Sequence, residues 1–311
     1  MTKPFRFGVS GGALTDIHEF VALAERAEAL GYASISMSDH LDDGLAPLVA
    51  LTAAAGATDT IRLTTLVLAN DFRNPVVLAK ELATLDVLSG GRVDWGIGAG
   101  WQTSDYERTG IPLDPPGTRI TRLAESVAVM RRCFAGDAYS HDGEHYRVQG
   151  HVGRPTPTQR PHPPLLLAGG GARVLRLAGR EADIVGINFS LAGGAFDVAA
   201  GATGTAEMTD AKIDAIRAGA GDRFDDVELQ TRVHFVMETD DRDGTMAALA
   251  PGFGRTPEDA ATMPHALVGT VDDMCASIRS WRERWGLSYV TWSADALETM
   301  APVVERLSGV R

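Results

Sequence analysis

The sequence predicts an α/β fold, a (β/α)8 TIM barrel with insertions at its carboxyl-face loops. Three observations carry this reading. Eight strand-like runs alternate with helix-like runs, the fourth strand has one bulky and one nearly bare face, and 311 residues suffice for such a barrel as one unit. Residues 1–311 are therefore read as a single domain, and a chain of this length buries roughly three-quarters of its unfolded surface.

The strand-like runs fall near 5–9, 33–38, 61–68, 92–98, 164–168, 183–188, 227–237 and 288–293. The first helix follows Asp16 and Glu19, a capping pair, and lines up Ile17, Phe20, Val21, Ala24 and Ala27 as one apolar stripe before Gly31 ends it. Further helices are predicted at 45–57, 75–88 (opened by Pro75), 118–134, 172–180, 209–219, 271–285 and 295–308.

The fourth strand is the most informative. Ser89-Gly90-Gly91-Arg92 leads into Val93-Asp94-Trp95-Gly96-Ile97-Gly98-Ala99-Gly100-Trp101. Val93, Trp95 and Ile97 alternate with Asp94, Gly96 and Gly98, so one face can pack on helices while the other lines a crowded interior. Gly98 and Gly100, at the carboxyl end, would let a flat ligand approach the backbone. The same residues would equally serve to fill a narrow barrel.

Four segments exceed an ordinary connection: 99–117, 136–163, 189–208 and 238–268. Three follow strands and so belong to the carboxyl face, where barrel enzymes place their chemistry. The segment 136–163 follows a helix, starts as strand, turn, strand (138–140, then 145–148), and ends in a Pro-rich run over 155–164. Its His141-Asp142-Gly143-Glu144-His145 matches a zinc-peptidase pattern that requires a helix. Asp142-Gly143 instead favours a hairpin turn, and no metal site is assigned.

Net charge −12 at pH 7, without any block of Lys or Arg, argues against nucleic acid or anionic lipid as main partners. Met1-Thr2-Lys3-Pro4 runs straight into a strand-like segment and no apolar run approaches 18 residues, so a soluble, cytoplasmic protein is expected. Cys133 and Cys275 fall in separate helical patterns and are read as reduced, packed thiols.

Two features offer chemistry. Asp39-His40 closes the second strand at the carboxyl rim, where an imidazole can exchange a proton near pH 7 and an adjacent carboxylate can hold its tautomer. A loop-capping Asp beside an exposed His would look the same. Gly169-Gly170-Gly171-Ala172 joins the fifth strand to a helix, and its backbone N–H groups with the helix dipole make a phosphate cradle. Arg173 and Arg176 either add charge there or form the helix's solvated side. The spacing does not fit a Rossmann fingerprint.

These stations, in order, resemble the bacterial luciferase-like superfamily of flavin and deazaflavin oxidoreductases, specifically its coenzyme F420 branch. They are Ser38-Asp39-His40-Leu41, Asn74-Pro75, Ser89-Gly90-Gly91-Arg92 leading to Gly96-Ile97-Gly98-Ala99-Gly100-Trp101, Gly143-Glu144-His145-Tyr146, Ala168-Gly169-Gly170-Gly171, Ala182-Asp183-Ile184 and Val268-Gly269-Thr270. The resemblance implies a cofactor ring across the carboxyl end of the barrel, its reactive edge near Asp39 and His40. It implies a bulge with a cis non-proline peptide near Leu66-Val67 behind the ring, phosphate contacts at Gly169, Gly170 and Gly171, and an approach of Asn188 and Phe189 to the phosphate and ribityl chain. Gly98, Gly100 and Trp101 join these as cofactor-binding candidates. Homodimers are common in the family, and the Ala-rich run 50–57 could pack closely against a second copy or simply against the barrel.

The family's sugar-phosphate dehydrogenases carry an acidic residue after the strand-four glycines and a Trp just beyond the Asp-His pair, whereas this chain has Trp101 and Asp42-Asp43-Gly44. Trp101, Phe72 and Phe189 suit a more apolar, unsaturated or carbonyl-bearing organic substrate, with a proton from His40 or water. F420 carries hydride because carbon replaces the flavin nitrogen that forms oxygen adducts. The alternatives are FMN in a two-component monooxygenase fed by a separate reductase, and a cofactor-binding barrel without turnover.

Overall fold

The computed structural model describes residues 3–42 and 44–311. Eight parallel strands form a closed barrel: β1 Arg6–Ser10, β2 Ser34–Met37, β3 Arg62–Thr65, β4 Val93–Gly98, β5 Leu165–Gly169, β6 Ile184–Ile187, β7 Glu228–Arg232 and β8 Leu287–Ser293. Each pairs with its neighbours in the chain; β8 returns to β1 (Phe7 opposite Val290), and β3 with β4 (Leu63 opposite Val93) closes the ring. The expected barrel is thus present.

Two strands depart from what periodicity alone suggests. The third, read from periodicity over 61–68, breaks at the cis peptide Leu66-Val67, as the family resemblance implied, and resumes as Leu68–Ala69 against Ile97 and Gly98. The seventh, predicted over 227–237, leaves the barrel at Arg232; Phe235–Glu238 pairs in parallel with Ala266–Gly269 in a separate two-stranded sheet. Apolar periodicity runs through both strands and cannot show that the partner changes.

Helices lie where the apolar stripes require them. Ile17–Ala29 buries Phe20, Leu23, Ala24 and Ala27, and Asp16 accepts from the backbone N–H groups of His18 and Glu19. The reciprocal capping box is found at Thr270 and Asp273, before Val271–Trp285. Buried side chains from Phe5 to Leu307 join one hydrophobic cluster, with Trp95, Phe134 and Trp292 among its largest members. The segment after Pro116–Ala135 is a hairpin, Ala138–Asp142 antiparallel to Arg147–Val152, in which His141 bonds Glu125. The long carboxyl-face loops contain short helices, including Thr103–Thr109 and Arg242–Leu249.

Candidate active site

Strand alternation sorts the barrel interior into layers. A Cβ on Gly8 would meet Ser34, Tyr289 and Thr291, and one on Gly186 would meet Ala168 and Gln230, which fixes the inward-facing set. At the amino end Arg6 lies 3.9 Å over the Tyr289 ring and pairs with Glu228 (2.6 Å) and Asp94 (3.3 Å), while Arg62 takes the other oxygen of Asp94 (2.6 Å). This buried network plugs the barrel floor, so Asp94 is structural. Above it stand mainly small residues: Gly8, Ser36, Gly96, Ala168 and Gly186, with Gln230 and Thr291. At the mouth are Ser10, Ser38, Gly98, Asn188, Arg232 and Ser293. Partly buried Leu66, Val67 and Ala168 add an apolar surface at the carboxyl end, packed on Leu166, Ile184 and Tyr289.

His40 sits on the β2 rim, half-buried, edge-on to the Trp101 ring with centroids 5.4 Å apart. The neighbouring carboxylate is not its partner. Asp39 is turned away and clamped by Arg73, at 2.5 and 2.9 Å, and by the Ala69 backbone N–H at 2.9 Å. This tie holds the resumed third strand to the β2 rim. His40 Nδ1 instead meets Asp105 Oδ2 at 2.9 Å, and Asp105 Oδ1 accepts from Leu41 N–H and the Gln102 amide, both at 3.2 Å. The expected tautomer role of Asp39 is therefore corrected to Asp105, on the short helix Thr103–Thr109. Proximity in sequence misassigned it, since a strand end directs consecutive side chains to opposite sides. The only signal for Asp105 was its place in an over-long carboxyl-face loop.

The glycines need a second correction. Cβ atoms at Gly96 and Gly98 would collide with the third-strand break, 1.9 Å from Thr65 O and 2.8 Å from Val67 Cγ2. At Gly100, φ is +76° and a Cβ would strike the Tyr106 hydroxyl; the Gly100 carbonyl accepts from Arg119. A Cβ on Gly170 would lie 2.1 Å from Phe189 O, and one on Gly169 2.5 Å from Val174. These glycines admit protein neighbours, not a ligand. Gly171 alone of the cradle has no atom within 4 Å of its Cβ position.

Gly171 is the N-cap of Ala172–Glu181, and no side chain caps that helix. The first N–H groups of a helix have no intrahelical partner, which an anion site requires. Arg173 and Arg176 are exposed opposite buried Leu175, Leu177 and Ala178, so they form the solvated side. On the next rim, Asn188 Oδ1 accepts from Phe189 N–H (2.8 Å) and pairs with His234 Nε2 (3.0 Å), and the side-chain amide nitrogen has no hydrogen-bond partner among the described residues. Behind it Lys212 Nζ donates to the carbonyls of Asn188 and Thr203, both at 2.8 Å, and burial pushes its ammonium down to about 8. Burial, with His265 and Arg232 adding, pushes His234 down to about 2, so this rim histidine is neutral.

Two surface clefts, about 330 and 360 Å³, lie outside the mouth: one is lined by Thr205, Met208, Arg255 and Arg284, the other by Asn70, Phe72, Ile111 and Tyr146. Among the described residues no cluster of metal-ligating side chains occurs, and no helix is long and apolar enough to cross a membrane.

A parallel eight-stranded barrel with an interrupted third strand, an oriented rim histidine and an uncapped helix after the fifth strand defines a (β/α)8 barrel whose candidate chemistry lies at the carboxyl end. The luciferase-like monooxygenase model matches residues 1–272, and the chain belongs to that family. It is 38% identical over 175 residues to an F420-dependent glucose-6-phosphate dehydrogenase of Mycobacterium avium, covering 53% of this chain and 51% of that protein. It is 34% identical over 194 residues to the protein of the same name from Gordonia bronchialis, covering 59% and 56%. The chain thus aligns with only about half the length of these curated relatives. The coenzyme F420 dependent tetrahydromethanopterin reductase of Methanopyrus kandleri superposes with a TM-score of 0.78 over 98% of this chain and 100% of that one, at 18% identity, a likeness of fold.

Proposed function

We propose that this chain is a coenzyme F420-dependent oxidoreductase that moves hydride between the deazaflavin and a small, unsaturated or carbonyl-bearing organic molecule. The observation that carries the reading is the combination, at one end of one barrel, of an oriented histidine and an open, uncapped helix terminus on the fifth-strand turn. The relatives named for F420, matched over about half of their length, support the cofactor.

The residues present fit such a group. Gly171 and the N–H groups after it would hold the phosphate, the free amide of Asn188 its polar chain, and Leu66 and Val67 the apolar ring. Gly98, Gly100, Gly169 and Gly170 shape that space by letting the Val67, Tyr106 and Val174 side chains and the Phe189 backbone close in. When bound, the deazaflavin supplies a hydride donor or acceptor and no oxygen chemistry.

The remaining work falls to the chain. The Asp105 carboxylate accepts from His40 Nδ1–H, so Nε2 is the nitrogen that takes or gives the proton. Trp101 packs edge-on against the His40 ring and fixes its position on that side. Asp39, through Arg73 and Ala69, positions the third-strand break and touches no reactant. Trp101 stands where sugar-phosphate dehydrogenases of the family carry an acid, which supports a less polar substrate than a sugar phosphate.

We also read the chain as a single catalytic domain and a cytoplasmic protein, consistent with two buried free cysteines, and as a homodimer. Val49, Val77 and Leu88, exposed on Pro47–Ala57 and Pro75–Leu88, supply an apolar face for a second copy, which sedimentation would detect.

Titration of the purified protein with F420 and with FMN, followed by fluorescence, tests the cofactor. A thousandfold preference for F420, about 4 kcal/mol, is expected. Tighter FMN binding with oxygen consumption by reduced FMN would replace this reading by a two-component monooxygenase; binding without turnover of any acceptor would leave a binding barrel.

A further inference from the structure

Arg232 is the last residue of β7. Its side chain shares the inward face with Gln230, which bonds Thr291 inside the barrel, so the guanidinium enters the interior from the carboxyl end. There it donates to Ser293 Oγ at 3.1 Å, on the adjacent strand. No carboxylate within 4 Å accompanies it among the described residues. Of the other arginines carried by barrel strands, Arg6 is matched by Glu228 and Asp94 and Arg62 by Asp94, and Arg73 on the rim is matched by Asp39; Arg92 and Arg119, which also lack an acid, are each satisfied by three or more carbonyl or hydroxyl oxygens. Burial disfavours the charged form of Arg232, and the opposing charge that favours it is the exposed Asp295.

The surroundings make this conspicuous. Ser10, Ser38, Asn188 and Ser293, which share the mouth, are neutral, and His234 is held neutral by burial. A cation left largely desolvated with one neutral partner costs free energy unless an anion completes it. Guanidinium presents a planar fork suited to two oxygens of a carboxylate or phosphate. In the ring of eight, β7 lies diametrically across from β3, so Arg232 faces the Leu66-Val67 surface from the opposite wall.

We infer that Arg232, seated on Ser293, is an anion-recognition residue for the substrate, and that the molecule turned over at this mouth carries a carboxylate. The inference rests on the proposed cofactor position for assigning the anion to the substrate: a ring lying on Leu66 and Val67 has its free face toward β7. The phosphate cradle at Gly171 is on the β5 turn, two strands away, and needs no help from Arg232.

The test compares binding of benzoate and cinnamate with that of benzamide and cinnamamide, by tryptophan fluorescence, with and without saturating F420. The acids are expected to bind about tenfold more tightly than the amides. Arg232→Gln should bring that ratio close to one, Arg232→Lys should keep part of it, and all three proteins should bind F420 alike. Equal binding of acid and amide by the native protein overturns the inference, as does an acid preference that survives in Arg232→Gln. A large loss of F420 affinity in Arg232→Gln without an acid preference in the native protein would assign the guanidinium to the cofactor and also overturn it. If the native protein fails to bind F420, the cofactor reading falls, while the acid-to-amide ratio measured without cofactor still decides the role of Arg232. Should Arg232→Gln not fold, Arg232→Lys and Ser293→Ala, which removes the guanidinium's seat, carry the comparison; no weakening of acid binding in either overturns it.

Discussion

Asp105→Asn isolates the proton chemistry from the architecture of the rim. The native carboxylate is 6% exposed and the His40 ring 26%, and their 2.9 Å contact is supported by two further donors on the other oxygen. A charge-assisted bond in such a setting contributes roughly 1.5 to 3 kcal/mol, which at about 1.4 kcal/mol per factor of ten corresponds to a roughly 10- to 100-fold loss in any step that charges the imidazole. The amide keeps the size and can still hold the Leu41 backbone N–H, so the fold should persist. Two measurements read the effect. Nitrogen-15 spectra of the ring should show Nδ1 protonated and Nε2 bare in the native protein, and a mixture of tautomers in the variant. Re-oxidation of reduced F420 by an acceptor should slow by the stated factor with little change in cofactor affinity. Asp39→Asn should leave the tautomer intact, because its oxygens serve Arg73 and Ala69. If Asp39→Asn scrambles the tautomer while Asp105→Asn does not, the assignment is wrong.

The cradle glycines should behave differently from one another. Gly170→Ala forces a methyl to 2.1 Å from the Phe189 carbonyl, an overpacking expected to lower stability by roughly 1 to 3 kcal/mol in urea unfolding. Gly171→Val places its branch in open space at the helix terminus, and should leave the urea midpoint nearly unchanged while weakening F420 binding; equal effects of the two substitutions on stability would contradict the packing. His265, together with His234, contributes to acid lability. Fully buried, it is pushed down to about 3 by desolvation, with Lys212 adding, against 6.5 when unfolded. Between pH 6.5 and about 3 the unfolded chain therefore holds a proton that the folded one does not, so stability falls as pH falls, by up to ~1.4 kcal/mol per pH unit from this residue. Its Nδ1 meets the Arg232 carbonyl and its Nε2 has no hydrogen-bond partner among the described residues. His265→Gln should flatten the difference in urea midpoint between pH 6.5 and 4.5; an unchanged slope would show that the ring titrates freely in the folded state.

Much of this was legible in the residues alone. Hydrophobic periodicity placed the eight barrel strands and the long helices, because burying one face of each element is a local demand that leaves a local pattern. The Val93, Trp95, Ile97 alternation announced the outer wall of β4, and Pro75 and Gly171 marked helix starts. The rim stations of the family located His40 and the Leu66-Val67 break. What the three-dimensional arrangement alone decided were the partnerships. Asp105 reaches His40 across 65 positions, the space over Gly96, Gly98 and Gly170 is filled by the third strand and by Phe189, and the seventh apolar run divides between two sheets. Arg232 is likewise one arginine among many in the sequence, and only the closed barrel leaves it facing inward without an acid. Periodicity reports whether a side chain must be hidden; which group it is hidden against depends on how the ring closes, and a chain of residues carries no local trace of that.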